Sequence, residues 1–309
     1  MQITFLFPGQ GSQKTGMGKD FYENSPLAKE LIEAASDRIK TDFAQLLFTP
    51  NELLNQTAYT QPAILLVSAI AQKLFSDQAD VQPRFAMGHS LGEFSALVSV
   101  GALDLLDGVE LVHHRGEFMQ EAAKGADGGM MVVLGLSDEV VEQICQEARS
   151  QGLQVWPANY NSDGQIVVAG IKTDLQKLEG VFKEKGAKRA MLLNMSVASH
   201  CPLMQEAKER LTPYLEEFLQ DSFTAPVISN VSAQPYSSKE NALQLLSRQL
   251  VEPVCYKQSI TNIEDDTDLF IEFGEGAVLK GINRRITKKP TISIKDMKSL
   301  EEALEVLHK

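Results

Sequence analysis

Only three cysteines occur in the 309 residues, Cys145, Cys201 and Cys255, odd in number and widely scattered. No metal-ligand spacing joins them, so neither a disulfide framework nor a metal site is expected. The pattern fits reduced thiols in a cytoplasmic protein. Long apolar runs are missing as well. The longest, Ala63 to Ala71, contains Ser68 and falls far below membrane-spanning length, so no membrane segment is expected. Nothing near Met1 resembles a signal peptide, because Pro8-Gly9 stops the apolar run Ile3 to Phe7 at once. Positive charge is in deficit. The 29 Lys and Arg against 41 Asp and Glu leave a net charge of −12, which argues against nucleic acid as the main partner. Internal repeats and low-complexity segments are absent too.

What is present is an ordinary globular composition, 43% hydrophobic and 23% charged, long enough for one large domain or a domain with an insertion. The first 125 residues alternate short apolar runs such as Ile3 to Phe7 with helical patterns over Gln61 to Phe75 and Leu103 to Gln120. This alternation predicts an α/β domain with a mainly parallel sheet. Gly125 to Gly129 has the composition of a linker. After it the order becomes strand (Met130 to Leu134), helix (Ser137 to Ala148), strand (Val155 to Asn159) and strand (Gln165 to Ala169). A helix capped by Thr173 and running to Lys185, then a strand over Ala187 to Leu193, complete the set. Asn161-Ser162-Asp163-Gly164 is a hairpin turn signal between the middle strands. That order predicts a ferredoxin-like α+β subdomain. Strand-like Val227 to Asn230 and Leu269 to Phe273 then return to α/β alternation. The expected division is therefore a discontinuous catalytic domain, 1–126 and 195–309, with residues 127–194 inserted.

Gly88, Ser90 and Gly92 form G-x-S-x-G between a short apolar run and a helical pattern containing Phe94, Leu97 and Val98. A serine on a sharp strand-to-helix turn needs small residues two before and two after it. Ser90 is thus the candidate nucleophile, although spacing alone also fits a glycine-rich turn with a surface serine. A serine hydroxyl needs a base, and histidine is the usual one. Among five histidines, His308 lies in the terminal tail, and His113 and His114 lie mid-helix, one expected packed and the other exposed. The side chain of His89 should leave the turn in another direction from Ser90. His200, between the inserted unit and a following helix, falls at a domain junction where clefts form; a structural histidine is the alternative. The backbone N–H of Leu91 would supply one oxyanion donor, and the loop Gly9-Gln10-Gly11-Ser12-Gln13 after the first strand could supply another. That loop lacks both dinucleotide-binding and P-loop spacings. Arg115 is suited to gripping a carboxylate, or else to an ordinary surface ion pair.

Phe7-Pro8-Gly9-Gln10-Gly11-Ser12-Gln13, Gly88-His89-Ser90-Leu91-Gly92-Glu93, Arg115-Gly116, Asn159-Tyr160-Asn161-Ser162 and Ser199-His200 occur in the order and spacing of malonyl-CoA:acyl carrier protein transacylases, which the chain resembles over nearly its whole length. The resemblance implies an α/β-hydrolase-like catalytic domain in which Ser90 and His200 perform the chemistry. It implies that Arg115 grips the malonyl carboxylate and that the amides of Gln10 and Leu91 form the oxyanion hole. A backbone carbonyl near Gln249, rather than an aspartate, would hold the histidine. The implied reaction moves malonyl from coenzyme A to the phosphopantetheine thiol of acyl carrier protein through an ester on Ser90, for fatty acid synthesis, and needs no cofactor. A monomer is expected. One departure is Val197-Ala198 before the histidine, where many relatives have proline at the second position. In related polyketide acyltransferases this stretch tunes the acyl group accepted.

An α/β-hydrolase esterase is the enzymatic rival, but those enzymes place an acid between serine and a late histidine. A polyketide pathway is the other possible setting. Carrier proteins of such systems are acidic, so a net-negative enzyme needs a local basic surface. Lys280, Arg284, Arg285, Lys288, Lys289, Lys295 and Lys298 form one cluster against Asp296 alone. Lys183, Lys185, Lys188 and Arg189 form another.

Overall fold

The computed structural model describes residues 1–195 and 197–307, so His308 lies outside the described residues. Strand β1 (Ile3–Phe7) is buried at every position, as expected of a strand covered on both faces. Beside it lie β2 (Phe85–Gly88), β7 (Val227–Ile228), β8 (Pro235–Tyr236), β9 (Leu269–Phe273) and β10 (Thr291–Ile294), in the order β10-β9-β1-β2-β7-β8. All pairings are parallel except β7 with β8. Alternation along β1 sends Phe5 and Phe7 to one face, where they meet Phe75 and Phe273 at centroid distances of 4.8–6.0 Å. Leu6 faces the other side with Met87, Phe270, Tyr256 and Leu279. The first face is covered by helix Thr57–Ser76, whose sides are apolar nearly all round.

The second sheet joins β3 (Gly128–Leu134), β4 (Val155–Ser162), β5 (Gln165–Ile171) and β6 (Arg189–Leu192), antiparallel throughout, in the order β4-β5-β3-β6. Helices Asp138–Ser150 and Lys172–Glu184 cover one face with Val141, Ile144, Leu175, Leu178 and Phe182. The other face, with Met130, Ala158, Val167 and Ala169, packs on Ala198 and Cys201. The fold is thus mixed α/β, with a mainly parallel sheet and a separate antiparallel one.

Several local expectations shift. Gly125 to Gly129 is no linker: helix Leu105–Ala126 runs into it, Asp127 turns the chain at φ 43°, and β3 begins at Gly128. The glycines there permit packing, since a Cβ on Gly128 would lie 2.8 Å from that of Ala198. Thr173 does not cap its helix, because β5 passes directly into Lys172–Glu184. Strand β4 extends through Ser162, leaving only Asp163-Gly164 as the hairpin turn. All three cysteines are free thiols, and burial pushes those of Cys145 and Cys201 up to about 12. No helix among the described residues is long and apolar enough to cross a membrane.

Candidate active site

Strand β2 ends at Gly88 and the chain turns within three residues into helix Gly92–Ser99. At the tip Ser90 has φ 54°, a conformation that L-residues keep only where their surroundings enforce it. Those surroundings demand glycine. A Cβ on Gly88 would lie 2.1 Å from the carbonyl carbon of Gly92, and one on Gly92 would lie 2.0 Å from the Phe7 oxygen. Both polar groups of the Ser90 backbone are then held. Its N–H donates to Asn230 Oδ1 at 2.7 Å, and its carbonyl accepts from Gln249 Nε2 at 3.0 Å.

His200 comes from the segment after β6 and is 2% exposed. Its Nε2 lies 2.8 Å from Ser90 Oγ, and its Nδ1 lies 2.7 Å from the Gln249 carbonyl oxygen. A carbonyl only accepts, so Nδ1 carries the hydrogen and Nε2 offers its lone pair to the serine hydroxyl. Burial first, and the nearby Arg115 charge second, hold the imidazole pKa down to about 3, so the ring is neutral.

Arg115 projects from helix Leu105–Ala126 and is 1% exposed. The neighbouring Gly116 lets this helix close on Thr57–Ser76, since a Cβ there would lie 2.5 Å from Ala58 Cα. The closure brings Arg115 Nη1 to Gln61 Oε1 at 2.7 Å. Its Nη2 donates to Gln249 Oε1 at 3.0 Å and to Ser90 Oγ at 3.2 Å, while Phe94 lies 5.2 Å from the guanidinium carbon. Nε is buried without a partner among the described residues. Desolvation lowers the guanidinium pKa to about 9, opposed by the charge of Glu93, so Arg115 stays cationic at neutral pH.

These groups face a cavity of about 230 Å³ between the two sheets. Ser90, Leu91, Gln10, His200 and Arg115 line one side; Met130, Asn159, Asn161 and Val167 line the other. The amides of Gln10 and Leu91 donate to no backbone group among the described residues, which leaves them free for a ligand oxygen. Gln249 lies behind the cavity rather than in its wall, so its contact is with the site residues. No cluster suited to a metal ion occurs among the described residues.

None of the other described histidines hydrogen-bonds Ser90, although His89 also lines the cavity. His89 turns to Asn161 Oδ1, 2.8 Å from its Nε2. His113 and His114 are both half-buried, instead of one packed and one exposed: His113 Nδ1 meets the Ala58 carbonyl at 2.8 Å, and His114 stacks on Phe118 with Tyr214 tilted beside it. Motif spacing missed Gln61, which stands in the cavity wall and holds Arg115, and Glu93, Asn230 and Tyr236, which brace the site from behind. Two had a signal: Glu93 closes the serine motif, and Asn230 ends a strand-like run.

A family model described as acyl transferase domain matches residues 4–303. The malonyl CoA-acyl carrier protein transacylase of Bacillus subtilis (strain 168) is 39% identical over 309 residues, covering 99% of this chain and 97% of that protein. The crystal structure of malonyl-CoA:acyl carrier protein transacylase from Helicobacter pylori is 50% identical with a TM-score of 0.97, covering 100% of this chain and 99% of that one. A malonyl-transacylase in complex with a type II PKS acyl-carrier protein is 37% identical with a TM-score of 0.95, covering 99% of this chain and 100% of that one. The chain therefore belongs to the acyl transferase domain family and, within it, to the malonyl CoA-acyl carrier protein transacylases.

Proposed function

We propose that the protein transfers malonyl from coenzyme A to the phosphopantetheine thiol of acyl carrier protein, supplying fatty acid synthesis. The observation that carries this reading is the convergence on Ser90 Oγ of a neutral imidazole at 2.8 Å and a buried guanidinium at 3.2 Å. The first activates a nucleophile; the second matches the carboxylate that distinguishes malonyl from simple acyl groups.

In the proposed cycle His200 Nε2 takes the Ser90 proton as Oγ attacks the malonyl thioester. The amides of Gln10 and Leu91 receive the oxyanion, and the Gln249 carbonyl steadies the imidazolium through Nδ1–H. The thiolate of coenzyme A leaves with the proton from Nε2, and malonyl stays as an ester on Ser90. The carrier-protein thiol then attacks in the reverse sense, its proton passing to His200 and back to Ser90. One thioester replaces another, which calls for no metal or redox cofactor. A backbone carbonyl as the partner of His200 supports acyl transfer over the serine–acid–histidine order of an esterase.

The strand order β4-β5-β3-β6 supports a ferredoxin-like reading of residues 127–194, set into an α/β-hydrolase-like domain of 1–126 and 195–309. A cytoplasmic monomer is the setting proposed. The relative bound to a polyketide carrier protein favours a second setting, a polyketide pathway, for the same reaction. Intact-protein mass spectrometry after incubation with malonyl-CoA should find a single malonyl adduct, on Ser90, that is discharged by acyl carrier protein and absent from Ser90→Ala. An adduct elsewhere, or near-normal transfer by Ser90→Ala, would end the reading.

A further inference from the structure

We propose that Glu93 is a positioning residue of this site, one carboxylate oxygen gathering the two residues that clamp the Ser90 backbone and align Arg115. The proposal rests on the acyl-transfer reading above. Glu93 is the second residue of helix Gly92–Ser99, is 1% exposed and does not line the cavity. Its Oε2 accepts from Gln249 Nε2 at 2.7 Å and from the Asn230 N–H at 3.1 Å, while Oε1 accepts from Tyr236 Oη at 3.0 Å.

Each gathered residue reaches forward to the reacting groups. The Asn230 side chain accepts from the Ser90 N–H at 2.7 Å and donates to the Gly88 carbonyl at 2.7 Å, so it spans the turn. Gln249 uses its second Nε2 hydrogen on the Ser90 carbonyl, its Oε1 on Arg115, and its backbone carbonyl on His200. Ser90, Arg115 and His200 therefore each stand one residue away from a single carboxylate. That carboxylate ties the serine helix to the segment after β7, to β8, and to helix Lys239–Gln249.

A core could fill this volume with an apolar side chain at lower cost, since burying a carboxyl disfavours its charged form. What an apolar residue cannot do is accept from Gln249 and Asn230 at one point. The requirement is an acceptor at a fixed reach, and two substitutions separate reach from charge. Gln at position 93 can turn its oxygen to Gln249 and Asn230 and its amide N–H to Tyr236 Oη, keeping the geometry and losing the charge. Asp keeps the charge and falls short by one methylene.

The test is single-turnover acylation of Ser90 by malonyl-CoA and by acetyl-CoA in wild type, Glu93→Gln and Glu93→Asp, with rates expressed per folded enzyme from circular dichroism. Glu93→Gln should acylate within a few-fold of wild type. Glu93→Asp should slow acylation on the order of 10- to 100-fold, with KM for acetyl-CoA nearly unchanged, because misplacing a nucleophile costs rate before it costs binding. Malonyl should fall further than acetyl, since Arg115 also loses its support. An unchanged rate per folded Glu93→Asp enzyme would reduce Glu93 to a fold-stabilising residue and overturn the proposal. So would a Glu93→Gln rate as low as that of Glu93→Asp, which would put the charge in place of the geometry. If wild type takes no malonyl at all, the acyl-transfer reading fails and the proposal falls with it.

Discussion

Replacing Arg115 with alanine should convert the enzyme from one that prefers malonyl to one that does not. The guanidinium is 1% exposed, so a malonyl carboxylate meeting it is desolvated on both sides. Losing a charge-assisted, two-pronged contact of that kind costs about 2–5 kcal/mol. At 1.36 kcal/mol per tenfold in rate this amounts to roughly 30- to 5,000-fold in kcat/KM for malonyl-CoA. The structure adds a cost common to every acyl group, because Arg115 also donates to Ser90 Oγ and Gln249 Oε1. That shared cost cancels in the malonyl-to-acetyl ratio of kcat/KM, so the ratio is the quantity to measure. It should fall by the full factor, with acetyl transfer changing far less than malonyl transfer. Intact mass spectrometry of the acyl-enzyme, followed over time with each coenzyme A thioester, reads both rates. An equal fall for the two acyl groups would show that Arg115 only braces Gln61, Gln249 and Ser90, and would refute carboxylate recognition.

His200→Ala should slow acyl-enzyme formation by several orders of magnitude while leaving the melting transition cooperative; a loss below tenfold, measured by stopped-flow release of coenzyme A, would remove His200 as the base. The same residue sets a pH dependence of stability. Its folded pKa of about 3 lies below the unfolded value of about 6.5, so the stability it contributes is whole above pH 6.5 and is lost as pH falls from there toward 3. Urea midpoints of wild type should therefore drop more steeply across that window than those of His200→Gln, and parallel curves would contradict the buried neutral ring. Val278, Leu279 and Ile282 form part of the cavity wall, and Arg285 donates to Gln165 Oε1, also in that wall, so the Lys280–Lys289 cluster borders the cavity mouth. Reversing Arg284, Arg285, Lys288 and Lys289 to glutamate should raise KM for carrier protein at low salt and spare acylation by malonyl-CoA, whereas the Lys183 cluster, of which Lys183 itself is paired with Glu179, should matter less; unchanged KM values would exclude electrostatic docking there.

What the sequence made legible was set by local chemistry. Gly88 and Gly92 leave no room for a Cβ, so the turn they enclose is written in two letters, and Ser90 follows from it. The alternation from Met130 to Leu193 encoded the antiparallel sheet because its strands are covered by short helices of their own. Boundaries were lost where neighbours from distant segments decide. Gly128 and Gly129 resemble a flexible linker until Ala198 and Lys172 are seen packed against them. Gln249 was expected only for its backbone carbonyl on the histidine; the bracing by its side chain, and by Glu93 and Asn230, was lost for the same reason. Glu93, Asn230 and Gln249 lie far apart along the chain, and no periodicity announces that one carboxylate oxygen will join the other two.

The partners of Arg115 bear on how a buried cation can stay ready for an anionic substrate. A carboxylate placed directly against the guanidinium would satisfy its charge and its fork, and an arriving malonyl group would then have to displace it. The structure instead surrounds Arg115 with the neutral acceptors Gln61 Oε1, Gln249 Oε1 and Ser90 Oγ. The buried carboxylate of Glu93 acts on Arg115 at one remove, through the Gln249 amide. Neutral amides hold the guanidinium in place without cancelling its field, and Glu93 opposes its desolvation only in part, so on the proposed reading a substrate carboxylate would offset the remainder. Acyl groups without a carboxylate would receive none of that gain, so discrimination on this reading would follow from what the site leaves uncompensated as much as from what it contacts.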